Sequence, residues 1–131
     1  VKAPEKAVPA KELYELAAVP VDFDKFNLKD EAREILRKHA AWLSKNRDLI
    51  IVVEGHCDER GTAEYNLALG QRRAETTAKF LVDTGIDEKR IRTVSYGLER
   101  PLDPGHSEAA WTKNRRAHFN ASGMGKNIST R

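Results

Sequence analysis

The feature that most constrains the fold is an unbroken apolar run, Leu49–Val53, within a chain of 131 residues. Five consecutive apolar residues are typical of a central strand buried on both faces, because a strand with one wet face alternates apolar and polar residues. A helical stripe of apolar residues precedes the run, from Asp30 to about Lys45. A helix followed directly by a buried strand indicates helices packed on a sheet.

Strand and helix patterns alternate along the rest of the chain. Strands are predicted where apolar residues alternate or cluster, and helices where a capping residue precedes an apolar stripe. Besides the two elements above, these are a strand over 19–26, a helix from Thr62 to about Thr84, a strand over 91–96, a short helix capped by Ser107, and a strand over 115–119. The predicted order is β-α-β-α-β-α-β. It indicates an α/β fold of the α+β sandwich type, in which the helices pack on the sheet.

The ends of the chain differ in composition from its middle. Residues 1–17 hold two prolines among charged residues and are predicted to form a tether. Residues 18–121 are predicted to be a single domain, because their length suffices for one core. Residues 122–131, rich in Gly, Asn and Ser, are predicted to form a mobile tail.

Composition excludes several classes of function. The formal net charge is +3, and acidic and basic residues are mixed, so no nucleic-acid-binding pattern is visible. The single cysteine, Cys57, rules out an internal disulfide and a thiolate metal cluster. No apolar run reaches membrane-spanning length. No cofactor is expected.

The segment Gly55–Ala74 places an acid, Asp58, in a polar loop and a base, Arg73, on the helix that follows. A carboxylate accepts hydrogen bonds from an ammonium, and a guanidinium offers a planar fork to a carboxylate. Together, Asp58 and Arg73 could bind both charges of a zwitterion. The alternative is an internal salt bridge that locks loop to helix, and spacing alone favours that alternative.

The same segment resembles the signature of the OmpA-like peptidoglycan-binding domains, G-H-x-D-x-x-G followed by N-x-x-L-S-x-x-R-A. Here 55–61 read GHCDERG and 66–74 read NLALGQRRA. Cys57 stands where the family usually has Thr or Ala, and Gly70 stands where the wider family has Ser, although the peptidoglycan-associated lipoprotein (Pal) branch commonly has Gly. The wording DERGT at 58–62 and EYN at 64–66 is closest to the Pal branch of that family. The resemblance implies a mixed four-stranded sheet with helices packed on it.

In that family the residues matching Asp58 and Arg73 bind the ligand, the diaminopimelate of the peptidoglycan stem peptide. The resemblance also implies TolB as a partner and a role in the Tol-Pal system, supporting outer-membrane constriction at division. It implies a location on the periplasmic side of the outer membrane, with membrane contact only through an N-terminal lipid. No cysteine precedes Cys57, so we expect the signal and the lipidated cysteine to lie outside this chain. The alternative within the family is a wall-binding domain of a porin or of a flagellar-motor stator protein.

Further residues are candidate walls of the pocket. One helix face carries Asn66, Leu69 and Arg73, while Leu67 is predicted to belong to the neighbouring core stripe. Residues 21–26 and 113–117 also resemble the family, and of the two arginines in the second segment one should face the pocket and one should face away. The candidate walls are Phe23, Asp24, Asn66, Leu69, Arg115 and Arg116.

Catalysis is not favoured by the sequence. His56, Cys57 and Asp58 are adjacent, but neighbours in an extended segment point in opposite directions. No nucleophile, base and orienting group are visible together, and a zinc site would need a distant histidine to converge on the loop. We therefore predict a binding domain that is not an enzyme and holds no metal.

Overall fold

The computed structural model describes residues 17–20, 28–123 and 126–129. Three helices and five strands alternate along these segments, with a short 3-10 turn at Glu88–Arg90 before the third strand. They are β1 (Val19–Pro20), α1 (Asp30–Lys45), β2 (Ile50–His56), α2 (Ala63–Asp83), β3 (Ile91–Gly97), α3 (Glu108–Asn114), β4 (Arg116–Gly123) and β5 (Lys126–Ser129).

The strands form one mixed sheet with β2 at its centre. β2 pairs in parallel with β3 on one side and antiparallel with β4 on the other. The outer edge of β4 pairs antiparallel with β1 and with β5. The main path β1-β4-β2-β3 confirms the predicted fold class, a mixed four-stranded sheet with helices packed on it.

The helices begin where the sequence supplies capping groups. The Thr62 side chain accepts a hydrogen bond from Tyr65 N at 3.0 Å and so caps α2. Ser107 Oγ accepts from Ala110 N at 3.2 Å and caps α3 in the same way. Beyond α2, Gly85 has a φ of 111°, a conformation that glycine adopts without steric cost. The predicted helix positions are confirmed, with boundaries within one or two residues.

The hydrophobic core lies between α1, α2 and one face of the sheet. Its buried side chains come from alternate positions of the strands and from the inner stripes of both helices. Those from the helices and the central strands are Ala32, Leu36, Ala40, Leu43, Ile51, Val53, Ala74, Leu81, Ala117, Phe119 and Ala121.

The prediction that the apolar run is buried on both faces was wrong. Ile51 and Val53 are fully buried, but Ile50 is 38% exposed and Val52 is half-buried. The reason is that α1 and α2 cover only one face of the mixed sheet, whereas parallel sheets are usually covered on both. The opposite face carries polar residues of β2 and β4, which we call the polar sheet face: Glu54, His56, Arg116, His118 and Asn120.

Leu67, predicted in the core stripe of α2, is instead 48% exposed. The buried stripe of α2 contains the neighbouring Asn66 and then Gly70, Ala74 and other residues down to Leu81. Leu67 lies seven residues before the buried Ala74 and so on nearly the same side of the helix. What differs is its position along the helix: it belongs to the first two turns of α2, where Ser95 Oγ of β3 donates to Leu67 O at 2.7 Å.

The two ends of the domain differ from the predictions in extent. Of the strand predicted over 19–26, Val19–Pro20 pairs with β4, and residues 21–27 lie outside the described residues. The last strand continues beyond Phe119 to Gly123. Part of the predicted tail, Lys126–Ser129, forms β5, which pairs antiparallel with β4.

Candidate ligand-binding site

The loop that joins β2 to α2 forms one wall of a cavity of about 260 Å³. The loop is tied to the end of β3, because Cys57 N donates to Gly97 O at 2.8 Å. The first turns of α2 supply the facing wall. The lining residues are Cys57, Asp58, Arg60, Gly61, Tyr65, Asn66, Leu69 and Arg73.

Asp58 is a buried carboxylate, 3% exposed, that accepts four hydrogen bonds. Its Oδ1 accepts from Arg60 N at 2.9 Å and Arg60 Nε at 3.2 Å. Its Oδ2 accepts from Arg60 Nη2 at 2.9 Å and from Arg115 Nη1 at 3.2 Å. Burial alone would raise the pKa of Asp58, but the bonds from Arg60 and Arg115 bring that pKa below its ordinary value. Asp58 is therefore an anion at neutral pH.

Arg73 is a buried guanidinium, 1% exposed, on the pocket face of α2. Its Nη1 donates to the backbone oxygen of His56 at 3.0 Å, which joins α2 to the end of β2. Burial lowers the pKa of Arg73 below the usual arginine value, and the nearby Cys57 and Asp58 oppose that shift. The two residues singled out from the sequence, Asp58 and Arg73, thus line the same cavity.

Asn66 and Leu69 also line the cavity, in positions that agree with their expected helix face. Asn66 Nδ2 donates to Arg60 O at 2.7 Å and to Thr62 O at 3.0 Å, so it holds the loop in shape. Leu69 is buried and supplies an apolar surface.

The two consecutive arginines point to different places. Arg115 ends α3 and reaches Asp58, while its Nη2 also donates to Glu108 Oε2 at 3.3 Å. Arg116 opens β4 and belongs to the polar sheet face, where its Nη1 donates to Asn114 O at 3.2 Å. Neither Arg115 nor Arg116 lines the cavity, although both were predicted as candidate pocket walls. Arg115 contacts the site through its hydrogen bond to Asp58. Phe23 and Asp24, the other two candidates, lie outside the described residues.

Sequence reasoning missed Arg60, which contributes three of the four donors to Asp58. Its guanidinium also lies over the ring of Trp111, 4.2 Å from the ring centroid. Trp111 is in turn held by Glu59, whose Oε2 accepts from Trp111 Nε1 at 2.8 Å. The signal was present, since a residue two positions after an Asp in a loop commonly donates its backbone N–H to that carboxylate.

Two glycines allow α2 to lie close to the end of β2. A Cβ at Gly55 would collide with the carbonyl group of Gly70, and a Cβ at Gly70 would collide with Ser95 Oγ. Any residue with a Cβ in place of Gly70, a departure from the general family signature, would require Ser95 Oγ to move from its hydrogen bond with Leu67 O. The close approach brings Arg73, one turn further along α2, to His56 O.

The part of the chain that the structure describes contains no group of three or more His, Cys, Asp or Glu side chains able to hold a metal ion. Cys57 is a buried free thiol whose Sγ donates to Asn66 O at 3.2 Å. Burial raises the pKa of the Cys57 thiol, although Arg73 opposes that effect.

Comparison with known proteins decides the family, because the sequence model of the OmpA family matches residues 22–115. The chain belongs to the OmpA family. Its relatives include the peptidoglycan-associated lipoprotein of Pasteurella multocida, 52% identical over 95 residues that make up 72% of this chain and 63% of that protein. The protein of the same name from Brucella melitensis is 46% identical over 105 residues, 80% of this chain and 62% of that protein. The chain thus spans about three-fifths of the length of these curated relatives.

Solved structures agree with the assignment to the OmpA family. The peptidoglycan-associated lipoprotein from Burkholderia pseudomallei is 40% identical and superposes with a TM-score of 0.78, over 81% of this chain and 90% of that chain. The C-terminal domain of Helicobacter pylori MotB gives a TM-score of 0.75 at 20% identity, over 80% and 83% of the two chains, a likeness of fold alone. Within its described segments, this OmpA-family chain has no helix with the length and apolar character to cross a bilayer.

Proposed function

We propose that the domain binds peptidoglycan non-covalently, through the diaminopimelate of the stem peptide. The observation that carries the proposal is the pairing of Asp58 and Arg73, a buried anion and a buried cation, in one cavity. The side-chain end of meso-diaminopimelate presents an ammonium and a carboxylate on one carbon. Asp58 suits the ammonium and Arg73 suits the carboxylate, with Leu69 against the methylene chain.

The same arrangement predicts selectivity between two types of cell wall. A lysine-type stem has the ammonium but lacks the terminal carboxylate, so it offers Arg73 no charge-assisted hydrogen bond. A site built to bond a polar group discriminates strongly against a ligand without that group. Arg73 therefore distinguishes diaminopimelate from lysine through the ligand's terminal carboxylate.

In the whole protein, this binding would anchor the outer membrane to the cell wall from its periplasmic side. Support comes from the 46–52% identity to proteins named peptidoglycan-associated lipoproteins and from the DERGT and EYN wording at 58–62 and 64–66. Membrane attachment would come from a lipid on an N-terminal cysteine. The resemblance to the Pal branch favours a role in the Tol-Pal system. TolB would be a partner there, and the role would support outer-membrane constriction at division.

The proposed activity is binding alone, without a chemical reaction on the cell wall. The one thiol near the cavity, Cys57, has a raised pKa because of burial, and a protonated thiol is a poor nucleophile. The charged groups of the cavity are arginines and Asp58, whose lowered pKa makes it a weak base.

Co-sedimentation with purified cell walls tests the proposal. We expect the domain to pellet with diaminopimelate-type peptidoglycan and to stay in solution with lysine-type peptidoglycan, without releasing soluble fragments. Arg73→Ala should remain in solution with both, while Arg92→Gln should behave like the parent, because Arg92 is exposed and lies outside the cavity. Equal pelleting with both wall types would contradict the proposed ligand, and release of fragments would indicate an enzyme.

A further inference from the structure

The carboxylate proposed to receive the ligand's ammonium is already fully hydrogen-bonded within the protein. Each oxygen of Asp58 accepts two hydrogen bonds, at 2.9 and 3.2 Å in both cases. A carboxylate has about four lone-pair sites, so these four bonds occupy its acceptor capacity. An ammonium can therefore reach Asp58 only if one of the present donors gives way.

Of the two arginines on Asp58, Arg60 is the one able to leave. The Arg115 side chain is 9% exposed and is also bonded to Glu108 and to Thr112 Oγ1, at 3.3 and 3.2 Å. The Arg60 side chain is 30% exposed and itself lines the cavity. Its guanidinium contributes two of the bonds to Asp58, and its backbone N–H can keep the third when the side chain moves.

A resting place for the displaced guanidinium is already in contact with it. The Arg60 guanidinium carbon lies 4.2 Å from the centre of the Trp111 ring, within the range of a cation–π interaction. Trp111 is held in place by its hydrogen bond to Glu59. Arg60 can thus release Asp58 and remain paired with an aromatic face.

We propose that Arg60 is a displaceable internal substitute for the ligand's ammonium and thereby determines the specificity of the pocket. This inference rests on the proposed function. A ligand ammonium replaces one charge-assisted pair by another, so the exchange contributes little net affinity. The net gain comes from the carboxylate on Arg73, and a ligand that offers only an amine gains little from displacing Arg60.

The inference predicts that removing the Arg60 cation strengthens binding of ligands that carry the ammonium, and of those alone. The probes are the tripeptide L-Ala-γ-D-Glu-meso-diaminopimelate and its analogue in which a hydrogen replaces the side-chain amino group. By calorimetry, Arg60→Gln should bind the diaminopimelate tripeptide roughly two- to fivefold more tightly than the parent, the range expected for a partly exposed ion pair. The analogue should bind Arg60→Gln as well as it binds the parent, or more weakly, because it has no side-chain ammonium with which to displace Arg60.

Two further variants keep the result interpretable. Arg92→Gln removes an exposed cation away from the cavity and should leave both affinities unchanged. Arg60→Lys keeps the charge but loses the planar fork, so its gain in affinity for the diaminopimelate tripeptide should be smaller than that of Arg60→Gln. If Arg60→Gln does not fold, the affinity of Arg60→Lys for the two probes tests the inference in its place.

The outcomes separate this inference from the proposed function. If the parent binds the diaminopimelate tripeptide but Arg60→Gln binds it equally or more weakly, Arg60 is a ligand contact or a bystander, and the inference is overturned. If both probes gain equally in Arg60→Gln, the effect is general and the inference is likewise overturned. If neither the parent nor any variant binds the tripeptide, the proposed function and the inference fail together.

Discussion

The pocket and the polar sheet face both begin at the end of β2, and both bury charged groups, but they neutralise those groups differently. In the pocket, Asp58 is paired with guanidinium groups, which keep their charge at any physiological pH. On the polar sheet face, Glu54 Oε1 lies 2.9 Å from His56 Nε2, and Glu54 Oε2 accepts from Asn120 Nδ2. His56 stacks on Tyr96, with ring centroids 5.5 Å apart.

This difference in how the charges are paired suggests that the pocket contributes to binding and the polar sheet face contributes to stability. Permanent charges give the pocket an electrostatic character that stays constant around neutral pH, which suits the zwitterionic ligand that we propose. His56 and Glu54 on the polar sheet face bond each other, so we expect them to contribute to stability, in a way that depends on their protonation. Changes at the pocket should therefore alter binding first, and changes at the polar sheet face should alter stability alone.

The largest effect is expected for Asp58→Ala, which removes the carboxylate that two arginines bond and that we propose as the partner of the ligand's ammonium. Binding should fall by about 2–5 kcal/mol, the range for truncating one partner of a buried charge pair. Stability should also fall, by roughly 1–3 kcal/mol, because Arg115 remains buried without that carboxylate. Calorimetry with the diaminopimelate tripeptide and urea unfolding measure the two quantities. Unchanged binding in a folded Asp58→Ala protein would make Asp58 purely structural.

Glu54→Gln should show the opposite pattern on the polar sheet face. The substitution keeps the shape but removes the charge that faces His56 and Arg116. We expect the free energy of unfolding to fall by about 1–3 kcal/mol, as for weakened buried hydrogen bonds to charged groups, with ligand affinity within twofold of the parent. A marked loss of affinity at unchanged stability would mean that the two regions are coupled.

The pH dependence of stability should reveal the histidines. Burial lowers the pKa of His56 below its ordinary value of 6.5, although Glu54 opposes the shift, and burial lowers the pKa of His39 as well. The unfolded chain therefore binds more protons than the folded one in the window below pH 6.5, so stability falls as the pH falls through it. The lowered pKa values of Glu54 and Asp58 add a further loss below about pH 4.5.

Urea unfolding at pH 7.5 and pH 5.5 checks this sign. His56→Gln should reduce the difference between the two pH values, and His39, whose Nε2 lies 2.8 Å from Ala17 O, should contribute to the part that remains. Higher stability at pH 5.5 than at pH 7.5 would contradict the assigned pKa directions.

Cys57→Ala should have the smallest effect. Its Sγ makes one hydrogen bond, to Asn66 O, and a small uncharged replacement keeps the shape of the loop. We expect affinity for the tripeptide within about threefold of the parent, measured by calorimetry. A loss as large as that of Asp58→Ala would show that the sulfur takes part in binding.

The sequence predicted the order of the elements and the convergence of Asp58 and Arg73 because both depend on local patterns. Apolar periodicity and capping residues determine where helices begin, and the loop between β2 and α2 is short. The exposure of Ile50 and the partial exposure of Val52 were not predictable from the run itself, because they depend on which face of the sheet the helices cover. That choice is made by the tertiary packing of α1 and α2.

The directions of Arg115 and Arg116 could not be predicted for a related reason. Strand alternation predicts that they point apart, but which one faces the pocket depends on where α3 ends and β4 begins. The structure ends α3 at Asn114 and starts β4 at Arg116, so Arg115 lies at the junction and reaches Asp58. A boundary one residue away would exchange the two directions.

The most direct test of the central claim is the coupling between Arg73 and the ligand's terminal carboxylate. Four calorimetric titrations measure it: the parent and Arg73→Gln, each with the diaminopimelate tripeptide and with the lysine tripeptide that lacks that carboxylate. The parent should prefer the diaminopimelate tripeptide by about tenfold or more, equivalent to roughly 1.4 kcal/mol, and Arg73→Gln should bind both tripeptides with equal, weak affinity. A preference that persists in folded Arg73→Gln would show that another group reads the carboxylate and would contradict the account.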